Sequence, residues 1–320
     1  MVMQRFVLIV FFKVVAVLCP GVAASQDFPY RPIRIITVQA GGVGDLIARP
    51  LAQGLAAPLG QPVIVENRPS GFIPGDMVAK ASPDGYTLLV TSAILWIGPL
   101  MQKSPYDPVK DFAPITLLAT TPNVLVVHPS LPAKSVGELI AAAKAKPGAL
   151  NYASAGAGGS THLAAELFKS MAGVDIVKIS YRGAGPAIVD LLGGQVHLMF
   201  ATAGSVTPHI KSGKVRALAV TSAQPSVLVP GLPTIAASGV PGYVSASPYG
   251  MFATAGTPGA IIRRLNKEVV GVISTPEIRE RFLNLGVEVV GGSAEELAST
   301  VKSEMARMGK VIKDAGIRLE

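Results

Sequence analysis

The sequence contains one cysteine, Cys19, and it falls in a segment that reads as an export signal. Once that segment is removed no thiol remains, which excludes disulfides, thiol nucleophiles and thiolate metal sites. A chain without thiols suits an oxidising compartment, where it cannot misoxidise. Aromatic residues are scarce at 6%, and the lysines and arginines behind the formal charge of +8 are scattered. Such a basic surface favours anionic partners, but it lacks the clustered charge of a nucleic-acid binder, and none is expected as a partner. The four histidines, His128, His162, His197 and His209, show neither i, i+4 pairing nor the acidic neighbours of a metal site. No Gly-x-Ser-x-Gly elbow occurs, and Ser154 and Ser160 have no general base at recognisable spacing. No two carboxylates stand out as an acid/base pair. The residues therefore point away from an enzyme, and no cofactor or metal is expected.

At the N-terminus, Arg5 gives a positive flank, Phe6 to Phe12 and Val14 to Leu18 are apolar, and Val22-Ala23-Ala24 supplies small residues. That is the pattern of a secretory signal over residues 1–24, cleaved near Ala24, and it places the mature chain in the periplasm. Lys13 interrupts the apolar run, which falls short of the roughly 18 residues a membrane span needs. Cys19 also raises a lipoprotein anchor, although Leu18 stands where such a site needs a small residue. Removal of the signal takes Arg5 and Lys13 with it, so the charge falls from +8 to +6. The 296 residues left exceed one ordinary core, and two lobes are expected.

Strand and helix patterns alternate along the rest. Ile33 to Val38 is β-branched, Asp45 to Leu59 has helical periodicity closed by Gly60, and Pro62 to Glu66 and Tyr86 to Val90 read as strands. A second cycle begins at Val124 to Val127. It continues through a helix at Ser135 to Lys146, a strand at Asn151 to Ala153 and a helix at Ser160 to Met171. Strands come next at Ile176 to Ser180, Val196 to Phe200 and Ala217 to Val220, then a long Pro/Gly-rich loop from Gln224 to Gly242. Helices at Ala260 to Ile273, Pro276 to Leu285 and Glu295 to Ala315 end the chain. The rhythm predicts an α/β fold with a mostly parallel, helix-covered sheet.

Two turns share one design, in which a strand runs through a glycine-rich loop into a helix. The first is Ala40-Gly41-Gly42-Val43-Gly44-Asp45, the second Ser154-Ala155-Gly156-Ala157-Gly158-Gly159-Ser160-Thr161-His162. First-turn N–H groups lack partners within their helix, and the dipole leaves positive charge there, so such ends hold carboxylates. If the loops face each other from two lobes, they clamp an anion from both sides. The plainer reading makes them ordinary turns, with Asp45 and Ser160 as N-caps and His162 a packed surface histidine. Ile47 stands where a dinucleotide fingerprint needs its third glycine, and no Gly-Lys-Ser/Thr of a phosphate loop occurs. Trp96 and Tyr249 either pack on a ligand or fill the seam between lobes.

A series of phrases runs through the chain in order. They include Tyr30-Arg31-Pro32-Ile33, Ala40-Gly41-Gly42 with Asp45, and Val65-Glu66-Asn67-Arg68-Pro69. Pro83-Asp84-Gly85-Tyr86, Tyr106-Asp107-Pro108-Val109-Lys110-Asp111-Phe112 and Asn151-Tyr152-Ala153-Ser154 come after these. The last are Tyr181-Arg182-Gly183, Asp190-Leu191-Leu192-Gly193-Gly194-Gln195, Arg216-Ala217-Leu218 and Ala253-Thr254-Ala255-Gly256-Thr257-Pro258. Together they resemble the Bordetella uptake gene (Bug) family, the substrate-binding receptors of tripartite tricarboxylate transporters.

The resemblance implies a type II periplasmic-binding-protein fold, two α/β lobes with a ligand cleft between them. Lobe 1 is expected over residues 25–125 and 249–320, and lobe 2 over 126–248. It implies a small carboxylate ligand and, as partner, the membrane permease subunits of such a transporter, or alternatively a sensor kinase. The implied ligand-binding residues are those of the two loops, Ala40 to Asp45, Ser154, Ala157, Gly158, Ser160, Thr161 and His162, with Ser92, Tyr181, Ala201 and Thr202. Gly44 departs from the family, which has Thr, Ser or Asn there. Ser70-Gly71-Phe72-Ile73-Pro74 replaces a Gly-Ala-Gly-Gly run, and His197 and Ala201-Thr202-Ala203 replace positions often acidic or amide. The identity of the acid is not readable from these positions.

Overall fold

The computed structural model describes residues 28–69, 71–156 and 158–318. The expected signal segment and its cleavage site, Cys19 included, lie outside them, as does Ala157. The chain divides between Tyr30 and Arg31. Of the N-terminal unit only Phe28–Tyr30 is described, without helix or strand, and every element named below belongs to the unit from Arg31 onward.

The first cycle is strand β1 (Ile33–Thr37), helix α1 (Val43–Leu59), β2 (Val63–Asn67), α2 (Ile73–Ala79), β3 (Thr87–Ser92) and a short α3 (Ile94–Ile97). β1 pairs in parallel with β2 and β3, as β-α-β crossovers require. Gly60 ends α1 at φ +65, the left-handed position that suits glycine. Arg31 pairs with Asp84 at 2.8 Å and lies 4.2 Å from the centre of the Tyr86 ring, which ties the start of β1 to the turn before β3.

β4 (Phe112–Val127) is the longest strand, and it changes partners midway. Phe112–Pro122 run antiparallel to a late strand, β9 (Ala246–Thr254), whereas Asn123–Val127 run antiparallel to β7 (Leu198–Thr202). Between them lie α4 (Val136–Ala145), β5 (Asn151–Ser154), α5 (Ser160–Ala172), β6 (Val177–Ser180), α6 (Ala184–Leu192), α7 (Ala203–Lys211) and β8 (Arg216–Val220). The sheet order is β2-β1-β3-β9-β4-β7-β5-β6, with β8 also on β4. The chain closes with α8 (Gly259–Ile273), α9 (Pro276–Asn284), a two-residue β10 (Glu288–Val289) on β4, and α10 (Ala294–Asp314).

The predicted strands and long helices are present with ends shifted by a few residues, but the sheet is mixed rather than mostly parallel, because every pairing of β4 and β9 is antiparallel. The first half of β4, β10 and the helices α2, α3, α6 and α7 have no counterpart in the sequence reading. The helices among them are nine residues or shorter, and Gly or Pro in each of α2, α6 and α7 blurs the 3.6-residue period. Gln224 to Gly242 contains no helix or strand, apart from an isolated bridge between Val220 and Thr234.

A ladder of aromatic contacts stiffens the first half of the core. Tyr106 meets Phe112 at 5.3 Å, Phe112 meets Phe252 at 6.2 Å, and Trp96 lies 6.0 Å from Phe252. In the second half Phe168 packs on Phe200 and Tyr243, and the buried Tyr243 hydroxyl donates to the Ala164 carbonyl. Burial of each such side chain contributes about 1.5–3 kcal/mol. Helix α10 packs on β4, on α5 and on α3, so it touches both halves. Its capping box, Ser293 with Glu296, fixes where it starts.

Candidate ligand-binding site

The ends of β3 and β5 lead into the residues that matter. A cavity of about 190 Å³ lies where Ser92–Ile94, the start of α5 (Gly158–Ser160), the start of β9 (Ser245–Ser247, Tyr249) and α10 (Glu304, Arg307, Met308) meet. Of the residues expected to bind ligand, Ser92, Gly158 and Ser160 line it. Tyr249 also lines it, and burial pushes its phenol up to about 12, so the hydroxyl stays protonated. Trp96 does not face it; the ring is fully buried in the core and sends its N–H to Glu304, 3.1 Å away.

The α5 loop is held from within. Gly158 N–H donates to His162 Nδ1 at 3.0 Å, Ala155 N–H approaches Thr161 Oγ1 at 3.4 Å, and Ser154 Oγ donates to the Gly156 carbonyl. Gly158 sits at φ +68. The N-cap is Gly159, not Ser160, and it makes no side-chain cap, so the first-turn amides keep no hydroxyl of their own. His162 is buried, not a surface residue, at 2% exposure. Burial pushes its imidazole down to about 4, helped by the Lys178 and Lys169 ammonium groups and opposed by Glu166. With Nδ1 used as acceptor, the neutral ring carries its proton on Nε2. The Lys178 ammonium 3.5 Å from Nε2 is then a neighbouring charge and not a donor to that nitrogen.

The first loop is built differently from the expectation of Asp45 as a cap. Gly42 is the N-cap of α1, and Asp45 lies in the first turn, 3% exposed. Its carboxylate accepts from Gly41 N–H at 2.9 Å and Asn67 Nδ2 at 2.8 Å, and pairs with Arg49 at 2.9 Å. Burial raises the Asp45 carboxyl, but the bonds from Arg49, Asn67 and Gly41 outweigh it and hold the group below the usual range. The Gly42 N–H goes to Gln39 O. Two loop amides are thus used internally, and those of Val43, Gly44 and Asp45 are the first-turn set. Ala40 and Gly41 are exposed, and none of Ala40 to Asp45 lines the cavity.

Gly44 is packed closely against β1. A Cβ on it would lie 2.7 Å from Thr37 Oγ1, and that hydroxyl donates to the Val90 carbonyl at 2.9 Å. Tyr181 is tied to Asp190 by its hydroxyl at 2.8 Å. Ala201 and Thr202 sit at the end of β7 opposite Val124 and Asn123, with Thr202 Oγ1 donating to Ser205. Tyr181, Ala201 and Thr202 do not line the cavity. Asn123 reaches across from β4 to the Ser160 carbonyl at 3.3 Å. Its Oδ1, and Thr121 Oγ1 on the same face of the strand, are buried without a hydrogen-bond partner among the described residues.

Sequence reasoning missed the contribution of α10. Glu304 Oε2 accepts from Trp96, Oε1 accepts from Arg307 Nη2 at 3.2 Å, and Arg307 Nη1 donates to the Val244 carbonyl. Burial raises the Glu304 carboxyl in spite of Trp96 and Arg307. The i, i+3 spacing of an acid and an arginine on the last helix was the available signal, but it is indistinguishable from a solvated surface pair.

The model of the tripartite tricarboxylate transporter receptor family matches residues 47–317. BugT of Bordetella pertussis is 37% identical over 309 residues, 94% of this chain and 95% of its own. Among solved structures, Rpa4515 of R. palustris with adipate is 36% identical, covers 91% of this chain and 99% of its own, and superposes with a TM-score of 0.73. The periplasmic binding protein BugD is 34% identical with a TM-score of 0.70, covering 92% of this chain and 100% of its own. The fold is the type II periplasmic-binding-protein fold, with two α/β lobes. The chain belongs to the tripartite tricarboxylate transporter receptor family, the Bug substrate-binding proteins.

Proposed function

We propose that the mature chain captures a small carboxylate in the periplasm, after signal cleavage near Ala24, and delivers it to the membrane permease subunits of a tripartite tricarboxylate transporter. The observation that carries this reading is a cavity at the start of α5 lined by Ser92, Ser160, Tyr249 and Arg307, whose side chains carry hydrogen-bond donors. First-turn amides and an arginine suit a carboxylate. Asn123 Oδ1 and Thr121 Oγ1, buried without a partner among the described residues on the strand that faces Ser247, suit ordered water.

The lobes are taken to meet where β4 changes partners. Lobe 2 then runs from about Asn123 to about Ser245, and the rest of the chain forms lobe 1. The first loop, Ala40 to Asp45, approaches the ligand from the other lobe when the two close. Binding without chemistry fits the family, whose members are receptors.

A thermal-shift screen of the chain from Ser25 against small carboxylates, with neutral and cationic analogues as controls, tests the reading. A ligand at a hundredfold excess over Kd stabilises by about 2.7 kcal/mol, a clear rise in Tm. Recovery of the acid unchanged completes the expected result. No shift with any acid, from protein shown by mass spectrometry to carry no ligand, overturns it.

A further inference from the structure

We infer that Arg307 is the specificity residue of the cavity. It takes the second carboxylate of a ligand whose first carboxylate lies at the start of α5, so small dicarboxylates are preferred over monocarboxylates of equal length. The inference rests on the proposed carboxylate-receptor function and assigns a residue to selection among acids.

A guanidinium has five N–H donors. Arg307 uses one on the Val244 carbonyl and one on Glu304 Oε1, which leaves three without a partner among the described residues. Its side chain is 29% exposed where it lines the cavity, so those donors are within reach of a ligand. Glu304 and Arg307 are the two charged side chains lining that space. They do not offer themselves equally. Each Glu304 oxygen already accepts a bond, from Trp96 or from Arg307, and the carboxylate is largely buried. Glu304 thus holds the arginine in place, and Arg307 faces outward.

The rest of the lining adds donors, among them the hydroxyls of Ser92, Ser160 and Tyr249. A ligand end carrying an ammonium would meet the arginine's charge, with the Glu304 carboxylate largely buried behind it. A carboxylate end meets a planar fork that it can bridge with two parallel bonds. Arg307 is also braced from both sides of the molecule. Glu304 links it to Trp96 of α3, and Val244 lies just ahead of β9, so its position is fixed before ligand arrives.

Calorimetric titration of the chain from Ser25 with glutarate and adipate, each against the monocarboxylate of equal length, tests the inference. Wild type is expected to prefer the diacid by about tenfold or more. In Arg307→Gln the diacid should lose affinity by about tenfold or more and the monocarboxylate by much less, so that the preference vanishes. Arg307→Lys keeps the charge and the Glu304 pair but lacks the fork, and should lose part of the preference. An undiminished diacid preference in Arg307→Gln, or in Arg307→Lys if the glutamine variant does not fold, overturns the inference and leaves the receptor reading intact. Equal weakening of both acid classes also overturns it. Wild-type protein that binds no acid at all overturns the receptor reading first, and the inference with it.

Discussion

The Nδ2 of Asn67 lies 2.8 Å from Asp45 Oδ1 and 2.7 Å from the Val38 carbonyl, so one amide at the end of β2 stitches the first glycine loop to its own helix. Asp45 is buried, and loss of this donor leaves its carboxylate short of a partner. Asn67→Ala is expected to destabilise the fold by about 1–3 kcal/mol. In urea unfolding the midpoint should drop with the slope m unchanged. An unchanged midpoint would show that Arg49 and Gly41 suffice.

His162 carries a pH dependence whose sign is fixed by its burial. Its pKa is lowered from 6.5 to about 4 on folding, so the unfolded chain binds the proton more readily between those values. Stability from this group is complete above about pH 6.5 and is lost as pH falls through about 4, a total of about 3 kcal/mol. His162→Asn keeps an acceptor for Gly158 N–H and cannot titrate. Its stability profile should be flatter than wild type between pH 6.5 and 4, read by chemical denaturation at a series of pH values.

Glu304 works in the opposite direction. Burial raises its carboxyl above 4.5, so the folded protein holds the proton longer than the unfolded chain. Stability therefore declines as pH rises from 4.5 through the folded-state pKa. Glu304→Gln retains an acceptor for Trp96 and should remove that decline. If the wild-type and variant profiles run parallel, the carboxylate is already ionised across the range.

Gly44 and Thr37 should behave as a coupled pair. Gly44→Ser places a Cβ against Thr37 Oγ1 and is expected to cost about 1–3 kcal/mol through overpacking. Removing the obstructing hydroxyl in Thr37→Ala should make the double variant less unstable than the sum of the singles. Strict additivity would mean that the loop relaxes away from β1 instead.

Much of the fold was legible because its long elements announce themselves. Ile33 to Thr37 is β-branched, and α1 ends at a glycine in the left-handed region. The partner change of β4 was not legible, since Thr120 and Asn123 look alike in a pattern although one faces β9 and the other β7. The α5 loop could be read from its glycines. Arg307 and Glu304 could not, because their contact with Trp96 and Val244 spans 63 residues or more of chain and leaves no spacing to recognise.

The position of β9 between β3 and β4 has a consequence for how the protein is made. As the chain emerges, β3 and β4 are complete long before their common neighbour, which comes after β4 by about 120 residues. Until then both strands present bare edges, each a template for pairing with another chain. The first lobe thus stays unfinished while the second can already assemble. β9 acts as its keystone, and truncation anywhere before Thr254 should yield an aggregating product rather than a smaller stable domain.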